Sequence, residues 1–498
     1  MDKRGQYSSA AVSTCDSEKE DKGCCICSSG LGGLPGADNA SPVSAAWPAS
    51  GLIITLASGP FHSLLAQPGA QDPGVRGGAA GAGGPLAGLS ASELNFFDVG
   101  KDDFEEAEGV GDGLGPRFNL DSCVGCHSQP ATGGTSPAVN PQVSVATAFG
   151  ANNVVPSFIT LNGPVREARF RYNADGTRDG GVHALFVISG RNDGTGSAAG
   201  CSITQDNFAA QLSRNNVVFR IPTPTFGAGL IEMIPDSAII NNLRANAAQK
   251  AALGIFGRPH LISGSPNRNG NDGTIARFGW KAQNKSLLLF AGEAYNVEMG
   301  ITNEIFQTER DETAACQFAT VPNDVTNTAG TTAADTISAI DKFAFFMRFL
   351  APPAPSSNTP GGADSITRGQ QKFMQVGCAA CHTPTLQTGN TTVAALRTQD
   401  VNLYSDLALH QMGPRLADDV LQGAANGDEF RTAPLWGLGK RIFFLHDGRT
   451  ADLLQAIQEH KSAGNARFGP SEANRVVDAF NGLSDNAKQD ILNFLRSL

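Results

Sequence analysis

The sequence predicts a mainly α-helical chain with extensive loops and a few short strands, organised as two related modules, the first carrying a large insertion. Three observations lead there. The pattern Cys-x-x-Cys-His occurs twice, at Cys123-Val124-Gly125-Cys126-His127 and at Cys378-Ala379-Ala380-Cys381-His382. The 498 residues include 58 glycines and 27 prolines, an excess that favours loop and turn. The stretch 351–363, Ala-Pro-Pro-Ala-Pro-Ser-Ser-Asn-Thr-Pro-Gly-Gly-Ala, reads as a linker shortly before the second copy.

A hydrophobic fraction of 41% is enough for a substantial core and excludes wholesale disorder or a fibrous chain. The net charge of −10, with no Lys/Arg run, argues against a nucleic-acid partner. No stretch reaches the ~18 apolar residues of a membrane span.

Residues 1–66 read as a leader, with Leu52-Ile53-Ile54-Thr55-Leu56-Ala57 and Leu64-Leu65-Ala66 as a signal-peptide core cleaved near Ala66 or Ala70, although no basic segment precedes it. Cys15, Cys24, Cys25 and Cys27 lie there without a histidine beside them. The Gly/Ala/Pro composition of 67–90 predicts a disordered linker. Order is expected to begin at Ser90-x-x-Glu93, a capping-box spacing. The first module then spans 91–350, with short strands at 184–188 and 217–221 and a closing helix from Thr336 to Leu350. The second spans 364–498, with helices at about 365–376, 471–482 (cap Ser471) and 484–498 (cap Ser484). Cys201 and Cys316 are left to pair as a disulfide in an oxidising compartment.

Each Cys-x-x-Cys-His carries a specific chemistry. Two thiols so spaced add to the two vinyl groups of one haem, and the adjacent histidine sits under the iron. A zinc half-site would want a second cysteine pair or a His-x-x-x-His nearby, and a redox Cys-x-x-Cys would not need the histidine twice. Two covalently bound haem c groups follow, on Cys123, Cys126 and His127 and on Cys378, Cys381 and His382, and hence two cytochrome c-like modules. Such attachment takes place outside the bacterial cytoplasmic membrane, so the chain is expected to be exported, to the periplasm or beyond.

Each iron has a second axial position. After Thr450, the run to His460 reads as a helix with Leu453, Leu454 and Ile457 inward, and His460 shares that stripe. Iron or the protein core can partner it there. Met412 is the runner-up, and His183 and His260 are the alternatives at the first haem.

The segment Phe430-Arg431-Thr432-Ala433-Pro434-Leu435-Trp436-Gly437-Leu438-Gly439, followed by Phe444-Leu445-His446-Asp447-Gly448-Arg449, resembles the C-terminal domain of the bacterial di-haem cytochrome c peroxidase superfamily, nearest its di-haem oxidoreductase branch of peroxidases or thiol oxidoreductases. The likeness covers roughly 90–498. It implies that the sixth ligand of the second haem, usually Met, falls on His460, a bis-histidine haem of lower potential. Trp280-Lys281-Ala282 and Glu298-Met299-Gly300 resemble the segment covering the first haem. Trp280 is by that match the inter-haem bridge and Glu298 the acid/base for O–O cleavage, against the plainer readings of a core Trp and a salt-bridging Glu. The family's distal glutamine falls on Phe290, implying a drier pocket. Its inter-domain Thr-x-Pro pair is replaced by Lys440-Arg441-Ile442-Phe443, which puts a calcium site in doubt. Glu232 is a further candidate for the pocket.

The function expected is peroxide reduction at an open first haem, fed with electrons from a small redox protein through the second. An electron-transfer cytochrome without substrate chemistry, and an oxygenase or thiol-oxidising variant using O₂, are the alternatives.

Overall fold

The computed structural model describes residues 69–189, 200–261, 274–308, 310, 313–316 and 321–498. The leader, its four cysteines and its apolar stretch lie outside these residues. The described chain is helix and loop with short strands, all antiparallel, in two-stranded pairs and one three-stranded sheet. Among the described residues no helix is long and apolar enough to cross a membrane.

Order around the first motif begins where the capping box stands. Ser90 Oγ accepts from the Glu93 backbone N–H at 3.3 Å, and Glu93 Oε2 accepts from that of Ser90 at 2.7 Å. The helix Ala91–Glu105 lies along Ala339–Phe349, with Phe96 stacked on Phe345 at 4.7 Å and Phe104 tilted on Phe346 at 4.9 Å. A Cβ on Gly100 would stand 2.2 Å from the Lys342 carbonyl, so this crossing requires glycine. The expected helix from Thr336 is split: a short turn Ala333–Thr336, then Ala339–Phe349. Asp324 divides them by accepting from the backbone N–H groups of Ala339 and Ile340.

The helix Leu287–Met299 packs on the same helix through Tyr295 and Phe343, ring centroids 5.1 Å apart. Gly300 ends it at φ 79°, the left-handed conformation glycine adopts without strain, and this fixes the preceding Glu298 on the last turn. The three-stranded sheet runs Val182–His183, Glu167–Phe170, Val217–Arg220. Along its middle strand Ala168 and Phe170 face the apolar core, so period-two alternation turns Glu167 and Arg169 the other way.

In the C-terminal part, Gly362–Val376 leads directly into Cys378 and packs on Asp485–Ser497, Phe373 against Phe494 at 5.4 Å. Ser484 caps the last helix as expected, but Ser471 does not cap the one before it, which starts at Asn474 with Ala473 in the cap position. Ser471 Oγ instead accepts from Ala473 N–H at 3.1 Å, within the turn.

Residues 69–90 correct the sequence expectation of a disordered linker. Asp72 receives two hydrogen bonds from Arg496, at 2.7 and 2.6 Å, and a third from the Leu453 N–H at 2.7 Å. Arg76 donates to the Ser497 carbonyl at 2.8 Å, and Leu86 N–H to that of Phe349 at 2.7 Å. Glycine composition measures the entropy of a free segment, and this buried ion pair and these hydrogen bonds offset it. Cys201 and Cys316 are disulfide-bonded.

Candidate functional site

The first motif forms the short helix Cys123–Cys126, capped by Ser122, whose hydroxyl accepts from the Gly125 N–H at 3.3 Å. His127 follows at its end. Its Nδ1 lies 2.9 Å from the Gly134 carbonyl, so that nitrogen carries the proton and Nε2 is left as a lone-pair donor. Desolvation holds the imidazole down to about 4, neutral at ordinary pH. Cys123, Cys126 and His127 border a cavity of about 1230 Å³, counting its open mouth. Burial pushes the Cys123 thiol up to about 12.

Glu298 borders the same cavity. Its Oε2 accepts from Asn119 Nδ2 at 2.6 Å, and its backbone carbonyl from Asn119 N–H at 2.7 Å. The wall also carries Glu167, Arg169, Arg220, Glu293 and Arg166. Phe290 is there too, and with Glu298 the wall carries three carboxyls and three guanidiniums. Desolvation and the neighbouring Glu167 raise Glu298 well above the usual carboxylate range, while Arg169 holds Glu167 below it against the opposing effect of burial.

The second motif forms a short 3-10 turn, Cys378–Ala380, entered from Gly377 at φ 99° without a side-chain cap. His382 Nδ1 lies 3.0 Å from the Tyr404 carbonyl, and desolvation holds its ring down to about 4. His460 stands at the end of the helix Leu453–Glu459, its Nδ1 2.8 Å from the Ala456 carbonyl. Both histidines border a second cavity of about 1430 Å³, mouth included, each with Nε2 unused by these contacts. Met412 borders it as well. So does His410, but its two nitrogens are taken by Glu472 at 2.7 Å and Asp406 at 3.0 Å.

Trp280 belongs to both cavity walls. Its Nε1 donates to the Ile221 carbonyl at 2.9 Å, and it packs with Ile221 and Phe430. Beside it, Arg220 and Lys281 converge on the fully buried Asp418, at 2.6 and 3.1 Å.

Three sequence candidates fall elsewhere. His183 is held between Asp206 at 2.9 Å and Asp179 at 2.8 Å, with its ring stacked on Phe170. His260 lies 2.8 Å from the Lys281 carbonyl and accepts from the Ala424 N–H at 3.0 Å. Glu232 pairs with Arg348 at 2.7 Å. None of the three borders the first cavity, where His127 is the only histidine among the described residues; the thioethers of Met299 and Met347 also border it. The Lys440 ammonium, in the region compared with the calcium segment, donates to the carbonyls of Gly77 and Gly78 at 3.2 and 2.7 Å.

Sequence reading missed Glu167 and Arg169, although charged residues alternating with Ala168 and Phe170 were a signal that one strand face meets something polar. It also missed the His410–Asp406–Glu472 cluster and Asp418, which sequence distance conceals.

The residues fit haem. In each cavity a cysteine pair and a neutral histidine share one wall. In the first, Arg220 Nε is buried without a hydrogen-bond partner in the protein, which suits an occupant bearing its own carboxylates. The second is walled by Phe373, Leu435, Val476 and Ile491, which suits a flat apolar ring.

A family profile described as "Di-haem oxidoreductase, putative peroxidase" matches residues 169–498. No curated protein matches the sequence. Among solved structures, the hydrazine synthase of Kuenenia stuttgartiensis is similar at 12% identity and a TM-score of 0.33, covering 91% of this chain and 100% of that one. A MauG-like protein associated with microbial copper homeostasis is similar at 18% identity and a TM-score of 0.26, covering 49% of this chain and 77% of that one. At these scores neither structural likeness carries an argument, whereas the family match extends over more than half of the sequence. The chain belongs to the di-haem oxidoreductase family.

Proposed function

We propose that the protein is an exported c-type di-haem enzyme that reduces peroxide, in two cytochrome c-like modules spanning 91–350 and 364–498. Its haems are held through thioethers at Cys123 and Cys126 and at Cys378 and Cys381. When bound, they supply redox-active iron that stores single electrons and, at the first site, an open position for peroxide. The chain's own residues do the rest. His382 and His460 would hold the second iron, which would then serve electron transfer, and His127 would hold the first. Trp280, common to both walls, couples the two. Glu298 moves the proton between the peroxide oxygens, which turns the departing oxygen into water, a good leaving group.

The observation that supports this reading most is the shared cavity of His127 and Glu298, with Trp280 on its wall and on that of the cavity holding His382 and His460. The electron donor is a small redox protein, and the net charge of −10 suits a cationic one.

The test is made on purified holoprotein. Pyridine haemochrome is expected to report two haems per chain. The spectrum is expected to contain one high-spin and one low-spin component, and peroxide with a reduced cytochrome is expected to turn over. E298Q should lower turnover by ~10²–10⁴-fold with both haems retained. Two low-spin haems that do not respond to peroxide would instead establish an electron carrier.

A further inference from the structure

A buried phenol stands against the first cavity with a base behind it. Among the described residues Tyr295 is the only tyrosine bordering either cavity. It lies on the helix Leu287–Met299, three positions before Glu298 and so on the same face. Tyr295 is 5% exposed, and its hydroxyl donates to Glu108 Oε1 at 2.6 Å. Glu108 is 9% exposed and does not itself border the cavity. Ring contacts run from Tyr295 to the haem histidine: Phe343 lies 5.1 Å from Tyr295, Phe104 6.2 Å from Phe343, and His127 6.0 Å from Phe104. Trp280 and the other two described tyrosines each lack one of these features. Trp280 gives its N–H to a backbone carbonyl, too weak a base to take a proton. The Tyr404 hydroxyl accepts from Gln370 at 3.1 Å, and Tyr172, which donates to Asp419 at 3.0 Å, borders neither cavity.

We propose that Tyr295 and Glu108 form a redox pair serving the first haem, in which the phenol gives its electron to the haem and its proton to the carboxylate. The pair rests on the peroxidase reading for its oxidant, hydrogen peroxide, which becomes two waters by taking two electrons and two protons. One electron comes from Tyr295. The phenolic O–H bond breaks, the electron leaves the ring for the first haem, and the proton moves to Glu108 Oε1, leaving a neutral phenoxyl radical. The second electron comes from the haem pair. An electron from the reduced donor, passed on by the second haem, and the proton returned by Glu108 then restore the phenol. Over the cycle the donor supplies both electrons and solvent both protons. Burial favours the coupled transfer, because loss of the electron alone would leave a cation in a dry core, whereas moving the proton leaves both side chains neutral. Burial, with the acidic Glu106, Asp112 and Asp103 nearby, also pushes the Glu108 carboxyl up to about 7, which makes it a stronger base than an exposed carboxylate.

The test is rapid-freeze electron paramagnetic resonance of the holoprotein mixed with hydrogen peroxide, beside flash oxidation of the same holoprotein by a ruthenium photo-oxidant, which needs no peroxide. Both are expected to give a phenoxyl radical that Y295F abolishes with both haems retained. E108Q keeps the phenol but removes the base, so radical formation should slow ~10²-fold. Peroxide turnover without a phenoxyl radical, a radical that persists in Y295F, or an unchanged rate in E108Q overturns the pair. If Y295F fails to fold, the E108Q rate decides. A phenoxyl radical lost in Y295F under flash oxidation, in a protein that peroxide leaves unaltered, keeps the pair and removes the peroxidase role instead.

Discussion

The indole Nε1 of Trp280 donates to the Ile221 carbonyl at 2.9 Å, and that bond holds the ring on the boundary between the two cavities. Ile221 in turn receives its own backbone tie from elsewhere, its N–H donating to the His446 carbonyl at 2.8 Å. The bridge position is therefore anchored by backbone from both halves of the sequence.

Trp280→Phe keeps an aromatic ring but removes the indole donor. It is expected to cost ~1 kcal/mol of stability and to leave both haem spectra in place. In stopped-flow measurements, electron passage from the second haem to the first should slow. Unchanged inter-haem kinetics would sink the bridging role.

His460→Ala is expected to convert the low-spin component to high spin and to leave the first haem's spectrum untouched. His460→Met should keep the low-spin state and raise its potential, because thioether ligation favours the reduced iron. If Met412 is the ligand instead, the alanine variant will show no spectral change.

Asp418→Asn leaves Arg220 and Lys281 buried with their shared counter-charge removed. The expected loss is ~3–5 kcal/mol in chemical denaturation. Burial alone would raise Asp418, but Arg220 and Lys281 outweigh it and hold the carboxyl down at about 2. A folded value below the unfolded ~3.9 means the contribution is complete above pH ~4 and is lost as pH falls towards 2. Acid unfolding of Asp418→Asn should be correspondingly flatter in that window.

Glu108 has the opposite sign. Burial pushes its carboxyl up to about 7, although the Tyr295 hydroxyl donating to it at 2.6 Å favours the charged form. The folded state therefore holds a proton that the unfolded chain releases near ~4.3, and stability falls as pH rises from there through 7. Melting temperatures of Glu108→Gln between pH 5 and pH 8 should show a weaker decline than wild type. Equal slopes would mean that Glu108 is ionised throughout.

Much of the site can be read locally. The Cys-x-x-Cys-His patterns are contiguous, so one turn of chain brings thiols and imidazole to the same wall without help from the fold. His460 follows from helix period, since a stripe shared with Leu453 and Ile457 points it inward. Ser90 and Ser484 act as caps because a cap is satisfied within three residues. His183 and His260 failed as ligand candidates for the converse reason. Residue type alone does not reveal that two aspartates already occupy one ring and two backbone groups the other.

By itself the amino-acid sequence determined the two Cys-x-x-Cys-His motifs, the terminal helices and the family, because each depends on neighbours a few positions away. Tertiary structure alone decided that Arg220 and Lys281 converge on Asp418, and that Asp72 ties the glycine-rich strap to Arg496. These are pairs of charged groups far apart along the chain. Their interaction appears only when packing brings them together and removes the water that would otherwise screen them.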